Sequence, residues 1–328
     1  MDVSDRLYGT CPLPEPIFAD LLHSAPLRRL QGVLQHGISG LLGITTPTTR
    51  YEHSLGTALL VRRLGGTLEE QVAALLHDVS HTAFSHVIDF VFHDHGGQSF
   101  HDREKVRFVR ATSLPAILSH YGYAWEAILD ESAYPLLEQP APALCADRLD
   151  YFLRDGLDLG LITPAEAAQI LAQLVVVDGR IGLGDVATAR LLADAYMGAD
   201  NASWSDFREV GLYEVTARAL RRALRCGALT EADLWGEDRP LFDHLRAHPD
   251  PELQRLLQLV SLATRFIHDP EQPTFTIQPK VRTIDPGVLL SGRLQPLSQV
   301  DAAFAARRHA YRARKQTPWP MRVVAYNH

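Results

Sequence analysis

A mainly α fold is predicted for these 328 residues: a helical bundle carrying a small β-hairpin, followed by a minor α/β subdomain. Three observations predict it. Apolar residues at helical spacing, bracketed by start and stop signals, recur through the first two thirds of the chain. One run rich in β-branched residues, LVVVDGRIGLG, is centred on Asp178-Gly179. After Asp269-Pro270 the composition turns to proline and alternating β-formers. The expected division is a helical core over 1–268, with the hairpin near 174–183, and a small α/β subdomain over 269–328 packed on that core.

Pro26 opens and Gly37 closes an expected helix over LRRLQGVLQH, and HSLGTALLVRRL predicts a second that stops at Gly65-Gly66. Thr67 and Glu70 form a capping-box pattern ahead of EEQVAALLHD, so His77 and Asp78 belong at a helix end. Further helices are expected over 85–92, 101–111 and 141–154, and after Thr163-Pro164, where Thr163 and Glu166 repeat the capping pattern. Beyond the hairpin, helical spacing predicts helices over 185–197, 206–225 and 251–267, with GADNAS as a loop. TFTIQPKVRTI reads as β-forming, 300–314 as a polar helix and MRVVAY as a strand.

Hydrophobic residues make up 46% of the chain, ample for a buried core. A net charge of −7 argues against whole-surface attraction to nucleic acid or anionic lipid, so a phosphate ligand must be met by local cations. Cys11, Cys145 and Cys226 are odd in number and widely spaced, which indicates neither a disulfide framework nor a thiolate zinc site. The stretch MDVSDRLYGTCPLPEP is acidic and proline-broken, and no apolar run reaches the roughly 18 residues that span a bilayer. A cytoplasmic protein without a membrane partner is expected, and a homo-oligomer stays open.

Four residues in three separate stretches carry most of the chemistry: His53 in RYEHSLG, His77-Asp78 in LLHDVSH and Asp147 in CADRLDYFLRD. Two imidazoles and two carboxylates suit a divalent ion that keeps positions open for water and a phosphate oxygen. Mn, Mg, Fe, Co, Ni and Zn all fit such a set. Consecutive helical residues point about 100° apart, so His77 and Asp78 can share one ion only from a helix terminus or across a groove. If the helix continues, His81 shares the face of His77. Arg50 and Arg148 adjoin the ligand stretches, and their guanidinium forks suit phosphate oxygens. For each of these residues the bland alternative is a buried polar group or an ordinary ion pair, for Arg148 with Asp150 or Asp155.

RYEHSLG, HDVSHTAFSH, SFHDREK and DRLDYFLRD, in that order over roughly 27–160, resemble the HD-domain phosphohydrolase superfamily. The resemblance is closest to the branch of deoxynucleoside triphosphate triphosphohydrolases. It implies an HD-domain helical bundle and a metal-dependent phosphohydrolase, with His53, His77, Asp78 and Asp147 as metal ligands. It also implies a catalytic histidine tier of His81, His86 and His101, one of which protonates the leaving oxygen, with Asp89 and Asp102 holding the rings in a chosen tautomer. Tyr151, Asp155 and Gln35 match sugar-facing positions. His93 and His95 match no family position and are expected at the surface.

In the triphosphohydrolases a later helix grips the outer phosphates with basic residues, but the comparable stretch here, AYMGADNASWSDFRE, lacks them. Unless Arg208, Arg218 or Lys280 substitutes, a smaller phosphate ester is the easier ligand. The basic run RRHAYRARK over 307–315 reads as a solvated helix face, against a phosphate, nucleic-acid or inter-subunit contact. The expected function is hydrolysis of a nucleotide phosphate ester or anhydride, so the expected partner is a small-molecule phosphate. The alternatives are a phosphatase of a non-nucleotide or nucleic-acid-end phosphate, and a nucleotide-sensing regulator.

Overall fold

The computed structural model describes residues 1–93 and 99–324. His95 lies outside them. The bundle is built from helices that begin and end where side chains can replace missing backbone partners. Arg50–Arg63 starts with a full capping box between Thr49 and Glu52, three residues ahead of the expected start, and stops before Gly65 at φ +81°. Thr67 caps Leu68–Leu76, but the Glu70 carboxylate accepts the Leu136 N–H at 2.7 Å instead of reaching back, so half of the expected box forms. The box at Thr163 and Glu166 is complete and opens Pro164–Gln173.

Several expected elements differ for identifiable reasons. The helix expected over 27–36 is instead Ala25–Arg29 and a 3₁₀ turn at Leu30–Gly32, because the chain must turn back for Leu34 to pair with Thr49. The helix holding Asp147 starts at Ala146, not 141, since Pro140 and Pro142 precede it, and runs on to Asp158. GADNAS is helical: Val186–Ala199 continues into a π-helical turn, Asp200–Trp204, closed by the Ser205 N–H on the Asp200 carbonyl. The segment 251–267 divides into helix Pro251–Gln258 and strand Arg265–His268.

Asp178 and Gly179 both take positive φ, +50° and +71°, and so form the expected tight turn of the hairpin. That hairpin is not alone. Arg180–Leu183 pairs in parallel with Gly287–Leu290, which pairs with Arg293–Pro296, giving a four-stranded sheet. A second sheet has Trp319–Val324 between Arg265–His268 and Phe275–Ile277. Strands from the last part of the chain thus pair with strands from the earlier part in both sheets. Two apolar clusters flank the central turn: Leu76 and Val79 pack in one, Ala83 and Phe84 in the other. No helix of the described residues is long and apolar enough to cross a membrane.

Two contacts set the site. Gly56 lets Arg50–Arg63 approach Ala146–Asp158 closely; a Cβ there would lie 2.0 Å from Arg154 Nη2 and 2.2 Å from Asp150 Oδ1. Asp238 accepts the Phe84 and Leu34 N–H groups at 2.7 and 3.0 Å, fixing the loops that carry Ser85 and Gln35. Burial pushes the Asp238 carboxyl up to about 6. Its folded pKa therefore exceeds the unfolded value of about 4, so its stability contribution is complete below pH 4 and is lost as pH rises through 6. Asp238→Asn should flatten the fall in melting temperature over that window; an unchanged slope would refute the assignment.

Candidate metal centre and its cavity

His53 projects from the first turn of Arg50–Arg63, His77 and Asp78 from the turn just past Leu76, and Asp147 from the first turn of Ala146–Asp158. The fold brings these separate stretches together. His53 Nε2 lies 3.2 Å from His77 Nε2 and 2.9 Å from Asp147 Oδ1. His77 Nε2 lies 3.5 Å from Asp147 and 3.6 Å from Asp78, whose other oxygen is 3.7 Å from His53 Nε2.

The outer ring nitrogens show what these donors require. His53 Nδ1 is 2.8 Å from Asp150 Oδ2, and His77 Nδ1 is 2.7 Å from the Ala74 carbonyl. Both neighbours are acceptors, so each Nδ1 carries its hydrogen and each Nε2 presents a lone pair. Two lone pairs and two carboxylates facing one another need a positive charge between them. Burial opposes a charged His77 ring, but Asp78 and Asp147 outweigh it and push the ring up to about 10. Burial likewise opposes the charged Asp78, yet Arg50 and the histidines hold it well below the usual carboxylate range. The donor set fits a divalent ion with mixed nitrogen and oxygen ligation.

Asp150 and Arg154, one turn apart, were not singled out by the sequence reading. Asp150 is fully buried and receives His53 Nδ1, Arg154 and the Tyr8 hydroxyl, while Arg154 also pairs with Asp5 at 2.7 Å. This carboxylate fixes the tautomer and direction of a donor histidine. The signal was present, since Asp147, Asp150 and Arg154 repeat at the three- and four-residue spacing of one helix face.

Helix geometry ends at Leu76, so His81 does not share a helical face with His77; it reaches Asp78 through a turn, with Nε2 3.1 Å from Oδ1. His81 stacks on His101 at 3.9 Å, and His86 approaches both edge-on. His86 Nδ1 is 3.0 Å from the buried Asp89, and His101 Nε2 is 3.3 Å from Asp102. Burial lowers all three rings, His101 to about 4.

A cavity of about 550 Å³ adjoins these groups. Arg50 faces it with its guanidinium on Asp78 (2.6 Å), Ser85 and the Gln35 carbonyl. Arg148 bonds Glu138 and the Gln139 and Ala143 carbonyls, not Asp150 or Asp155. Asp155 receives His36 Nε2 at 2.9 Å and Trp204 Nε1 at 2.7 Å; both donors lie in stretches quoted from the sequence, LRRLQGVLQH and AYMGADNASWSDFRE, but nothing in their spacing pairs them with Asp155. Tyr151 bonds the Tyr196 hydroxyl, and Gln35 Oε1 is buried without a partner among the described residues. His93 is exposed. Arg208 and Arg218 are engaged elsewhere, by the Leu262 carbonyl and Glu214. Lys280 lines the cavity, as do half-buried Arg308 and exposed Arg312 from the basic run, most of which is the exposed helix face expected, with Lys315 buried on Ser205.

Residues 50–155 match the HD domain family. The chain is 37% identical over 318 residues to a protein of Cordyceps militaris named metal-dependent phosphohydrolase cns2, covering 94% of this chain and 91% of that one. A zebrafish (Danio rerio) protein named deoxynucleoside triphosphate triphosphohydrolase SAMHD1 is 24% identical over 213 residues, 48% of this chain and 33% of its own. The fold matches a crystallised phosphohydrolase of Bacteroides thetaiotaomicron with a TM-score of 0.65 at 17% identity, over 92% of this chain and 94% of the other. Similarity along almost the whole chain, with His53, His77 and Asp147 close enough to hold one ion, leads to one conclusion: the chain belongs to the HD-domain family and is a metal-dependent phosphohydrolase.

Proposed function

We propose that the substrate is a nucleotide and that the reaction cleaves one of its phosphate ester or anhydride bonds. The observation that carries this reading is Asp155. Its carboxylate lines the same cavity as the metal donors, oriented by His36 and Trp204 among Tyr151, Tyr196 and Tyr213. A carboxylate accepts sugar hydroxyls, aromatic faces pack flat rings, and about 550 Å³ is within the range of small-molecule sites. Similarity to a protein named as a deoxynucleoside triphosphate triphosphohydrolase supports it further.

In this reading His53, His77, Asp78 and Asp147 hold a divalent ion, Mn²⁺ among the candidates, which when bound polarises phosphoryl oxygens and acidifies water. Gln35 and Asp155 orient the nucleoside, while Arg50 and Arg148 present cationic edges to the phosphoryl group. His86 directs its Nδ1 hydrogen to Asp89. Burial, then Arg50, Arg282 and Lys280, hold this ring neutral. An arriving phosphate offsets those cations and raises the proton affinity of His86, so the ring gains its proton when a leaving oxygen needs one. His81 and His101 support the ring, with Asp102 orienting His101.

A panel of nucleoside mono-, di- and triphosphates with Mg²⁺, Mn²⁺, Co²⁺ and Ni²⁺ tests the proposal. Turnover of at least one nucleotide is expected. Silence across the panel, with turnover of a sugar phosphate or an aryl phosphate, would place the substrate outside the nucleotides.

A further inference from the structure

The helix that ends at Leu76 stops inside the protein, and residues 77–85 after it are all buried. A non-helical turn lets His77 and Asp78 face one ion, but it leaves carbonyls without helical partners, and a buried carbonyl must find a donor. Among the described residues, no backbone N–H reaches the carbonyls of Val79, Ser80 or His81. Side chains from outside the turn supply the donors. Arg29 Nη2 bonds the Val79 carbonyl at 2.9 Å and the His81 carbonyl at 2.7 Å, and Trp235 Nε1 bonds the Ser80 carbonyl at 3.2 Å. Neither Arg29 nor Trp235 lies in the matched stretch 50–155.

Arg29 joins three elements at this point. Its Nη1 bonds the Gly236 carbonyl at 3.2 Å, two residues after Leu234, whose own carbonyl accepts the Ala83 N–H at 2.8 Å. Its guanidinium lies 5.2 Å from the centroid of the Phe108 ring, two helical turns beyond His101 on Phe100–Arg110. That helix is tied to the turn a second time, where Ser80 Oγ bonds the His101 carbonyl at 2.9 Å. Among the described residues, each hydrogen bond of Arg29 ends on a backbone carbonyl and none on a carboxylate. Burial lowers the guanidinium to about 10, against Asp238 and Glu237, so it stays charged at neutral pH. A charged donor holds its acceptor more strongly than a neutral one.

We propose that Arg29 is a positioning residue of the metal centre: by bonding the carbonyls on either side of Ser80, it fixes the direction in which Asp78 meets the ion and holds His81 in its stack on His101. It touches neither metal nor substrate. The inference rests on the assignment of Asp78 as a metal donor and is independent of the nucleotide reading. Lysine keeps the charge but loses the planar fork that spans several carbonyls, and glutamine loses both. Metal affinity should therefore follow the fork, not the overall stability of the fold.

Calorimetric titration of the metal-stripped, full-length protein with Mn²⁺, well below the melting temperature, tests this with Arg29→Gln and Arg29→Lys. Arg29→Gln is expected to bind Mn²⁺ about tenfold more weakly, the scale on which losing a group behind a metal ligand acts, and Arg29→Lys to fall between that variant and the wild type. Ile170→Ala, a core truncation outside the cavity lining, should melt lower with unchanged Mn²⁺ affinity, which separates positioning from loss of stability. If Arg29→Gln does not fold, Arg29→Lys must itself bind at least about threefold more weakly. Wild-type Mn²⁺ affinity in every Arg29 variant that folds overturns the proposal, as does an equal loss in Ile170→Ala. If neither Arg29 variant folds, the residue is structural and the proposal falls. Asp147→Ala separates the two possible failures. Wild-type Mn²⁺ binding in Asp147→Ala removes the donor assignment itself, whereas loss there with full affinity in Arg29→Gln removes the role of Arg29 alone.

Discussion

Asp147→Ala is expected to abolish metal retention and lower kcat/KM by roughly four orders of magnitude, the scale of losing several kcal/mol of metal-supplied transition-state stabilisation. The protein should stay folded. Asp147 is the most exposed of the four donors, its side chain 25% accessible, and its contacts are to the donor histidines. Asp78→Ala should remove the metal too, with a second effect. It strips the carboxylate from Arg50, whose side chain is 6% exposed, and an uncompensated buried charge costs about 3–5 kcal/mol. Metal analysis and melting curves separate the two variants: both lose metal, and only Asp78→Ala melts early. Full metal content in Asp147→Ala would remove it from the donor set.

Arg154→Ala is expected to give the largest loss of stability. Its guanidinium is the cation shared by Asp150 and Asp5, whose side chains are 0% and 3% exposed. Removing it leaves two buried carboxylates, one with only the Tyr8 hydroxyl and His53 for support. The expected cost is about 3–5 kcal/mol, seen as a melting temperature lower by roughly 5–10 °C. Metal affinity should fall by about 10–100-fold, because Asp150 orients His53. Arg154→Lys should recover part of both. A normal melting temperature in Arg154→Ala would mean that the carboxylates find other partners.

Most helices that carry the candidate donors were legible from short-range signals. Thr67 and Thr163, each with a glutamate three residues on, marked two helix starts, whereas the same pattern at Thr49 and Glu52 went unread; His-Asp beside a helix end restricts where two side chains can point. The HD resemblance added the order of the blocks. Other features depend on neighbours that local spacing does not reveal. GADNAS looks like a loop, yet Asp200 is held by Tyr311 and the Arg282 backbone, so the chain stays helical in a π turn. Residues 279–283 read as β-forming, but the strand stops at Ile277, and Thr283 meets Arg308 of a helix near the end of the chain. Arg308 reads as solvated for a related reason, since its half-buried guanidinium reaches Thr283 of a distant segment, whereas Arg312 is exposed as expected.

His53, His77, Asp78 and Asp147 are expected to share one divalent cation. Anomalous scattering from crystals of the metal-loaded protein, recorded at the edge of the bound element, tests it most directly. A single strong peak bonded to both Nε2 atoms and both carboxylates is predicted, and it should vanish in Asp147→Ala crystals. A stoichiometric metal whose peak lies away from these four donors would contradict it.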